Sequence, residues 1–207
     1  MLCMDLLQAA YRTLGTHVGP ALWAVGIFAA GFALAFPVVR YNVRSLLAFP
    51  EWLFRLAQKY LRPDVNPVLL CLFIFGFNSI AIFIYMMSGG LVVLPIVFDL
   101  LTGLNVGAIM LMEASGPEEP PEAPPDRRAP ARAWVGFLTL FVLLVELSAF
   151  WLSIGMGIGL GHAMEGSFSW TMFEQAARPI VLAYVVVIVP ALAASAVAET
   201  ITLKATM

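Results

Sequence analysis

Three long stretches of this chain are almost free of charge. Residues 65–98 and 179–198 contain no Asp, Glu, Lys or Arg, and residues 133–164 contain only Glu146. A helix rises 1.5 Å per residue, so about 20 apolar residues cross a bilayer core roughly 30 Å thick. Hydrophobic side chains make up 61% of the chain and charged ones 12%, about half the charged share of a soluble domain. The sequence therefore predicts an integral membrane protein.

The same length criterion predicts five transmembrane helices. We place them at residues 20–39, 68–88, 91–112, 134–160 and 180–200. The first is expected to be retained, because Asp5 stands where a cleaved signal peptide carries positive charge. The predicted fold is an all-α polytopic membrane helix bundle in which residues 1–207 form a single membrane domain. If residues 1–18 also crossed, the spans would number six.

Two segments outside the spans have the composition of interfacial amphipathic helices. Residues 41–62 mix Trp, Tyr, Phe and Leu with Arg44, Arg55, Lys59 and Arg62, which suits a helix at the headgroup level. Residues 166–178 form a shorter version before the fifth span. Residues 114–132 are rich in proline and charge, which predicts a solvated cytoplasmic linker.

The distribution of Lys and Arg predicts the orientation, because their excess marks the cytoplasmic side. Nine of the eleven Lys and Arg residues lie on the side that holds the first loop, the linker and the C-terminus, whereas Arg12 and Arg178 lie on the other side. We therefore expect a multi-pass protein of the cell membrane with its N-terminus outside and its C-terminus inside.

Polar residues interrupt three of the spans near their middles. Asn78, Asp99 and Glu146 fall at similar predicted depth, and no Lys or Arg lies inside a span to neutralise the two acids. Ionisable groups in a membrane normally face the bundle interior. We predict an intramembrane polar layer with these members: Asn78, Asp99, Thr102, Asn105, Glu146 and Ser153. Three roles remain open for the acids, namely a structural hydrogen bond, proton or cation handling, and contact with a partner protein.

Small residues recur at helical spacing beside both acids. Asp99 is followed by Gly103 and Gly107, and Glu146 by Ala149, Ser153 and Gly157. Such stripes allow close helix contact in membranes. We interpret the glycines in these spans as helix-packing positions rather than a phosphate-binding loop: Gly103, Gly107, Gly155, Gly157, Gly159 and Gly161.

The sequence gives no support to nucleic-acid binding, metal binding or catalysis. A net charge of −2 does not suit nucleic-acid binding. Two cysteines and two histidines lack zinc-site spacing, and although His17, His162 and Glu165 fall on one side, we predict no metal. No nucleophile has a recognisable His and Asp partner, so we predict no catalytic residue, no cofactor and no enzymatic activity.

Three motifs in the last four spans resemble the stage II sporulation protein M family of multi-pass membrane proteins. Asn78-Ser-Ile-Ala-Ile is similar to the Asn-rich start of a family helix, and Thr102-Gly-Leu-Asn-Val-Gly-Ala108 to its Asn-Gly-x-x-x-Gly element. The run from Glu146-Leu-Ser-Ala to Gly157 is similar to its Glu-Leu-Pro-Ala segment and glycine run. Val189-Pro-Ala-Leu with Glu199 fits its final helix. The chain departs from the family at Val142-Leu143, where His-Gly is usual, and at Thr102, where Asn is usual.

The resemblance implies a non-enzymatic membrane component that acts as a scaffold with partner proteins. Our first functional hypothesis is accordingly a subunit that docks other membrane or membrane-associated proteins, or another copy of the chain, within the lipid bilayer. The alternative is a transport component, either a proton- or cation-coupled carrier or a permease-like subunit of an ATP-driven system, that uses Asp99 and Glu146.

Overall fold

The computed structural model describes residues 2–60, 65–91, 93–114, 129–164 and 168–206, and these residues are almost entirely helical. Residues 115–128 of the predicted linker and Glu165 lie outside the described residues. In chain order the helices are α1 (Leu2–Thr16), α2 (Val18–Arg40), α3 (Arg44–Tyr60), α4 (Pro67–Met87), α5 (Leu94–Ala114), α6 (Ala129–Ala163), α7 (Trp170–Ala183) and α8 (Val189–Thr206). A 3₁₀ turn, Ser88–Leu91, follows α4. The all-α fold predicted from the sequence is confirmed.

Five helical segments are long and apolar enough to cross a membrane, as predicted. They are Val18–Arg40, Pro67–Leu91, Leu94–Met112, Trp134–Ala163 and Trp170–Ala205. The Leu2–Thr16 segment is a separate helix whose Ala10 and Leu14 pack into the main apolar cluster, and it is not among these five.

Contacts at the helix ends show that successive spans alternate in direction. The Lys204 Nζ donates to the Val65 carbonyl at 2.7 Å, which places the end of α8 beside the start of α4. At the opposite end of the bundle, Gly89 after α4 lies against the backbone of Gly157 near the end of α6. The first loop and the C-terminus therefore share one end, as five crossings require.

A capped turn joins α2 to α3. Asn42 has a left-handed φ of 50°, its N–H donates to the Val39 carbonyl, and the Val43 N–H donates to the Val38 carbonyl. These two bonds form a Schellman motif, which satisfies carbonyls at the end of a helix. The motif ends α2 and lets the chain turn into α3, where the predicted interfacial helix is observed at Arg44–Tyr60.

The second predicted interfacial helix does not end before the last span. The helix begins at Trp170, later than the predicted 166, and continues through a π-helical turn at Tyr184–Ile188 directly into α8. The Val189 N–H donates to the Tyr184 carbonyl five residues back. Because Pro190 has no N–H to donate, a wider turn just before it keeps the helix continuous.

The most extensive helix packing among the described residues joins α2 and α5, which run side by side in the same direction. An added Cβ at Gly31 would overlap the Leu100 carbonyl, and one at Gly103 would overlap the Phe28 carbonyl. At Gly107 it would lie 2.8 Å from the Ala35 Cβ. Glycine lets the two backbones touch, and dispersion then holds them together where lipid offers no hydrophobic driving force.

Three glycines in the second half of α6 also lie against other parts of the same chain. An added Cβ at Gly155 would lie 2.7 Å from the Ala21 nitrogen, and one at Gly157 would lie 2.8 Å from the Tyr85 carbonyl oxygen. At Gly159 it would lie 2.5 Å from the His17 Nε2. Gly161 is buried as well. The small-residue stripes therefore pack against other parts of the same chain.

We expect Gly103→Ala to lower the free energy of unfolding by about 1–3 kcal/mol, the usual cost of forcing extra volume into a packed interface. Gly26→Ala is the matched control, because an added Cβ there meets nothing within 4 Å and alanine favours a helix. The measurement is reversible unfolding of the purified chain in detergent. Equal stabilities for the two variants would contradict the observed α2–α5 contact.

Candidate functional site

Glu146 lies where α4, α6 and α8 meet. Its Oε1 accepts a hydrogen bond from the Asn78 Nδ2 at 2.8 Å and another from the Ser195 Oγ at 3.1 Å. Each residue comes from a different helix, so the carboxylate holds three transmembrane segments together. Both donors are neutral, and the acid therefore keeps its charge unless it takes up a proton or a cation.

A second glutamate shares these surroundings. Glu199 lies one helical turn after Ser195 on α8, so both face the same side of that helix. It lines a cavity of about 170 Å³ together with Asn78 and Glu146. The rest of the lining is apolar and comes from α3 and α4: Leu53, Leu56, Phe73, Ile74 and Phe77.

The lining of this cavity determines its electrostatics. Two carboxylates face it, and no Lys or Arg is among its described lining residues. In surroundings this apolar, two negative charges repel each other with little screening, and losing water costs each of them free energy. A proton or a bound cation relieves both penalties. We call the group formed by Asn78, Glu146, Ser195 and Glu199 the carboxylate site.

Asp99 does not belong to the carboxylate site. Its side chain is completely buried, and neither carboxylate oxygen has a hydrogen-bond partner among the described residues. Ser153 is likewise completely buried, and its Oγ has no partner in the same part of the chain. The described hydrogen bonds therefore connect only two of the six predicted polar-layer residues, Asn78 and Glu146, to each other.

Thr102 and Asn105 lie on another face of α5. The Thr102 Oγ1 donates to the Phe98 carbonyl at 2.7 Å and is 3.2 Å from the Tyr85 hydroxyl. Thr102 and Asn105 line an apolar groove of about 510 Å³ between α3, α4 and α5. Thr102 therefore satisfies its hydroxyl locally, and neither residue lines the cavity of the carboxylate site.

The polar layer predicted from the sequence omits two residues of the carboxylate site, Ser195 and Glu199. Glu199 enters the sequence analysis only through its fit to the family's last helix. The four-residue spacing of Ser195 and Glu199 is the sequence signal that could have identified them, because it puts both on one helix face. Elsewhere in the bundle, Tyr184 of the π-helical turn donates to the Ser79 carbonyl at 2.8 Å, a bond that no sequence pattern indicates.

The described residues contain no group of three His, Cys, Asp or Glu side chains that could hold a metal ion. The His17 Nδ1 is 2.7 Å from the Thr13 carbonyl oxygen, which holds the imidazole ring against the last turn of α1.

Comparisons with protein-family models, with curated proteins and with solved structures find no match to the chain.

We expect Asn78→Leu to destabilise the chain by about 1–3 kcal/mol, because it leaves the Glu146 carboxylate with one of its two donors. Thr139→Val is the control, because that exposed hydroxyl bonds the Val135 carbonyl of its own helix. Both are measured by thermal unfolding in the same detergent. An Asn78→Leu variant as stable as Thr139→Val would mean that the Asn78–Glu146 bond contributes nothing.

Proposed function

We propose that this chain is a membrane transport component in which Glu146 and Glu199 bind and release protons or monovalent cations. The observation that carries the proposal is the cavity of the carboxylate site. Two acids line it within a membrane helix bundle, and no described basic side chain neutralises them there. Intramembrane acids that face a cavity are typical of proton and cation pathways.

The arrangement of partners around Glu146 supports reversible binding. Asn78 and Ser195 hold one carboxylate oxygen with neutral hydrogen bonds, and Oε1 is the only Glu146 oxygen that these bonds use. Neutral donors stabilise the charge less than an arginine would, so a proton or cation can compete for the carboxylate. The cavity has room for several water molecules, which can carry protons or hydrate an ion.

The position of the cavity supports entry from one side of the membrane. Leu53 and Leu56 of α3 form part of its wall, and α3 lies at the same end of the bundle as the C-terminus. By the Lys and Arg count this end is cytoplasmic. We therefore propose a cell-membrane protein with its N-terminus outside, in which α3 covers a cytoplasmic entrance to the carboxylate site.

Flux measurements on the purified chain in liposomes test this function. An imposed proton, Na⁺ or K⁺ gradient should dissipate through the wild-type chain. Glu146→Gln and Glu199→Gln should each reduce that flux at least about tenfold, because a neutral amide can neither release a proton nor balance a cation. Glu174→Gln is the control, because Glu174 is exposed on α7 and pairs with the exposed Arg178 at 3.5 Å. Wild-type flux in both site variants would contradict the proposal.

A second candidate is a docking subunit of a membrane complex, as the resemblance to the stage II sporulation protein M family implies. The first turns of α6 favour it. No described residue from Trp134 to Ser148 is buried, although the same helix is well buried from Ala149 onwards. This half of α6 follows the Pro-rich segment and offers an apolar surface to a helix of another protein or of a second copy of the chain.

Photo-crosslinking in native membranes tests the docking role. A crosslinker at Leu140, on the exposed half of α6, should capture one specific protein or a second copy of the chain. A crosslinker at Leu22, which is also exposed but lies on α2, serves as the control. If both positions yield only lipid adducts, the exposed half of α6 faces lipid and the docking role fails.

A further inference from the structure

The completely buried carboxylate of Asp99 has no hydrogen-bond donor among the described residues. A carboxylate placed in apolar surroundings without a partner costs several kcal/mol or more. The helices around it offer no Lys or Arg at its depth, since α4 and α5 contain none, and those of α2 and α6 lie at helix ends, Arg40 at the last position of α2 and Arg132 in the first turn of α6. The group therefore needs something other than a basic side chain to balance it.

Ser153 provides a second polar atom in the same condition. Its side chain is completely buried and its Oγ has no partner among the described residues. A serine in a transmembrane helix commonly bonds a carbonyl of the preceding turn, as Thr102 does here. Ser153 makes no such bond, so its hydroxyl is free for another ligand.

The packing of α5 against α6 places these two residues on facing surfaces. An added Cβ at Gly157 would lie 3.2 Å from the Pro95 Cγ, so the faces carrying Pro95 and Gly157 touch. The two helices run in opposite directions. Asp99 is one turn after Pro95 on α5, and Ser153 is one turn before Gly157 on α6. Because the helices are antiparallel, both steps lead the same distance away from the Pro95–Gly157 contact, and Asp99 and Ser153 lie on the two faces that meet there.

Helix α2 closes the third side of this junction. Gly103, one turn beyond Asp99, contacts Phe28 of α2, and Ala24 of α2 packs with Phe150 and Ile154 of α6. The junction of α2, α5 and α6 therefore contains a carboxylate and a hydroxyl, both unpartnered, surrounded by close-packed apolar groups.

We propose that Asp99 and Ser153 bind one monovalent cation, Na⁺ in the first instance, at this junction. A carboxylate and a hydroxyl are hard oxygen ligands, and one positive charge neutralises the single negative charge of Asp99. The bound ion ties three transmembrane helices together and thereby stabilises the fold. This site is separate from the carboxylate site and does not depend on the proposed transport function.

Thermal unfolding of the full chain in detergent, in NaCl and in choline chloride of equal ionic strength, tests the inference. Because a ligand that binds only the folded state stabilises it, NaCl should raise Tm by several degrees, and the rise should saturate with concentration. Asp99→Asn should lower this rise, because it removes the charged ligand of this site. Ser153→Ala should shift the required Na⁺ concentration upwards about tenfold, the effect of losing one ligand to a charged group.

Ser148→Ala is the matched control, because it removes an exposed serine hydroxyl on the same helix, and it should retain the full Na⁺-dependent rise. If Asp99→Asn does not fold, equilibrium binding of ²²Na⁺ to the wild-type and Ser153→Ala chains gives the same comparison. A wild-type Tm identical in the two salts, a Na⁺-dependent rise that is undiminished in Asp99→Asn, or unchanged ²²Na⁺ affinity in Ser153→Ala would overturn the proposal.

Discussion

The absence of water from the bilayer core governs how this chain is built. A polar group inside a membrane must find its partners within the protein, and each group left without a partner costs several kcal/mol. Glu146 meets this requirement through two donors on two other helices. Those bonds fix the positions of α4, α6 and α8 relative to one another. Asp99 does not meet this requirement, because it is completely buried and no described donor reaches it.

Helices in a membrane must attract one another without a hydrophobic effect, and here the close packing of glycine faces provides that attraction. The α2–α5 pair uses Gly31, Gly103 and Gly107, and α6 uses its own glycines against α2 and the end of α4. These faces are occupied inside the chain. A docking role therefore gains no support from the small-residue stripes and depends instead on the exposed first half of α6. The carboxylate site gives the transport role the stronger physical basis.

Much of the fold follows from the sequence because long apolar stretches have few alternatives in a membrane. The first four spans and the α3 helix were predicted close to their observed bounds. The join between α7 and α8 was not, because it depends on a π-helical turn that compensates for Pro190, and helix patterns do not reveal such a turn. The predicted linker lies mostly outside the described residues.

The candidate site was only partly predictable, for a physical reason. Composition shows which polar residues lie within a span, but the rotation of each helix determines which of them meet. Asn78 and Glu146 meet, whereas Thr102 bonds its own helix. The sequence does not indicate that Glu199 is covered, because a charged residue near the end of a span usually reaches water. Here α3 and α4 cover it from one side with apolar side chains.

A density map of the chain in a lipid nanodisc, bound to an antibody fragment for size, tests the central claim most directly. The account predicts the Glu146 carboxylate within hydrogen-bond distance of both Asn78 and Ser195, with Glu199 facing the same cavity. A map in which the Glu146 side chain points into the acyl chains, or in which α4 and α8 do not flank it, would contradict the account.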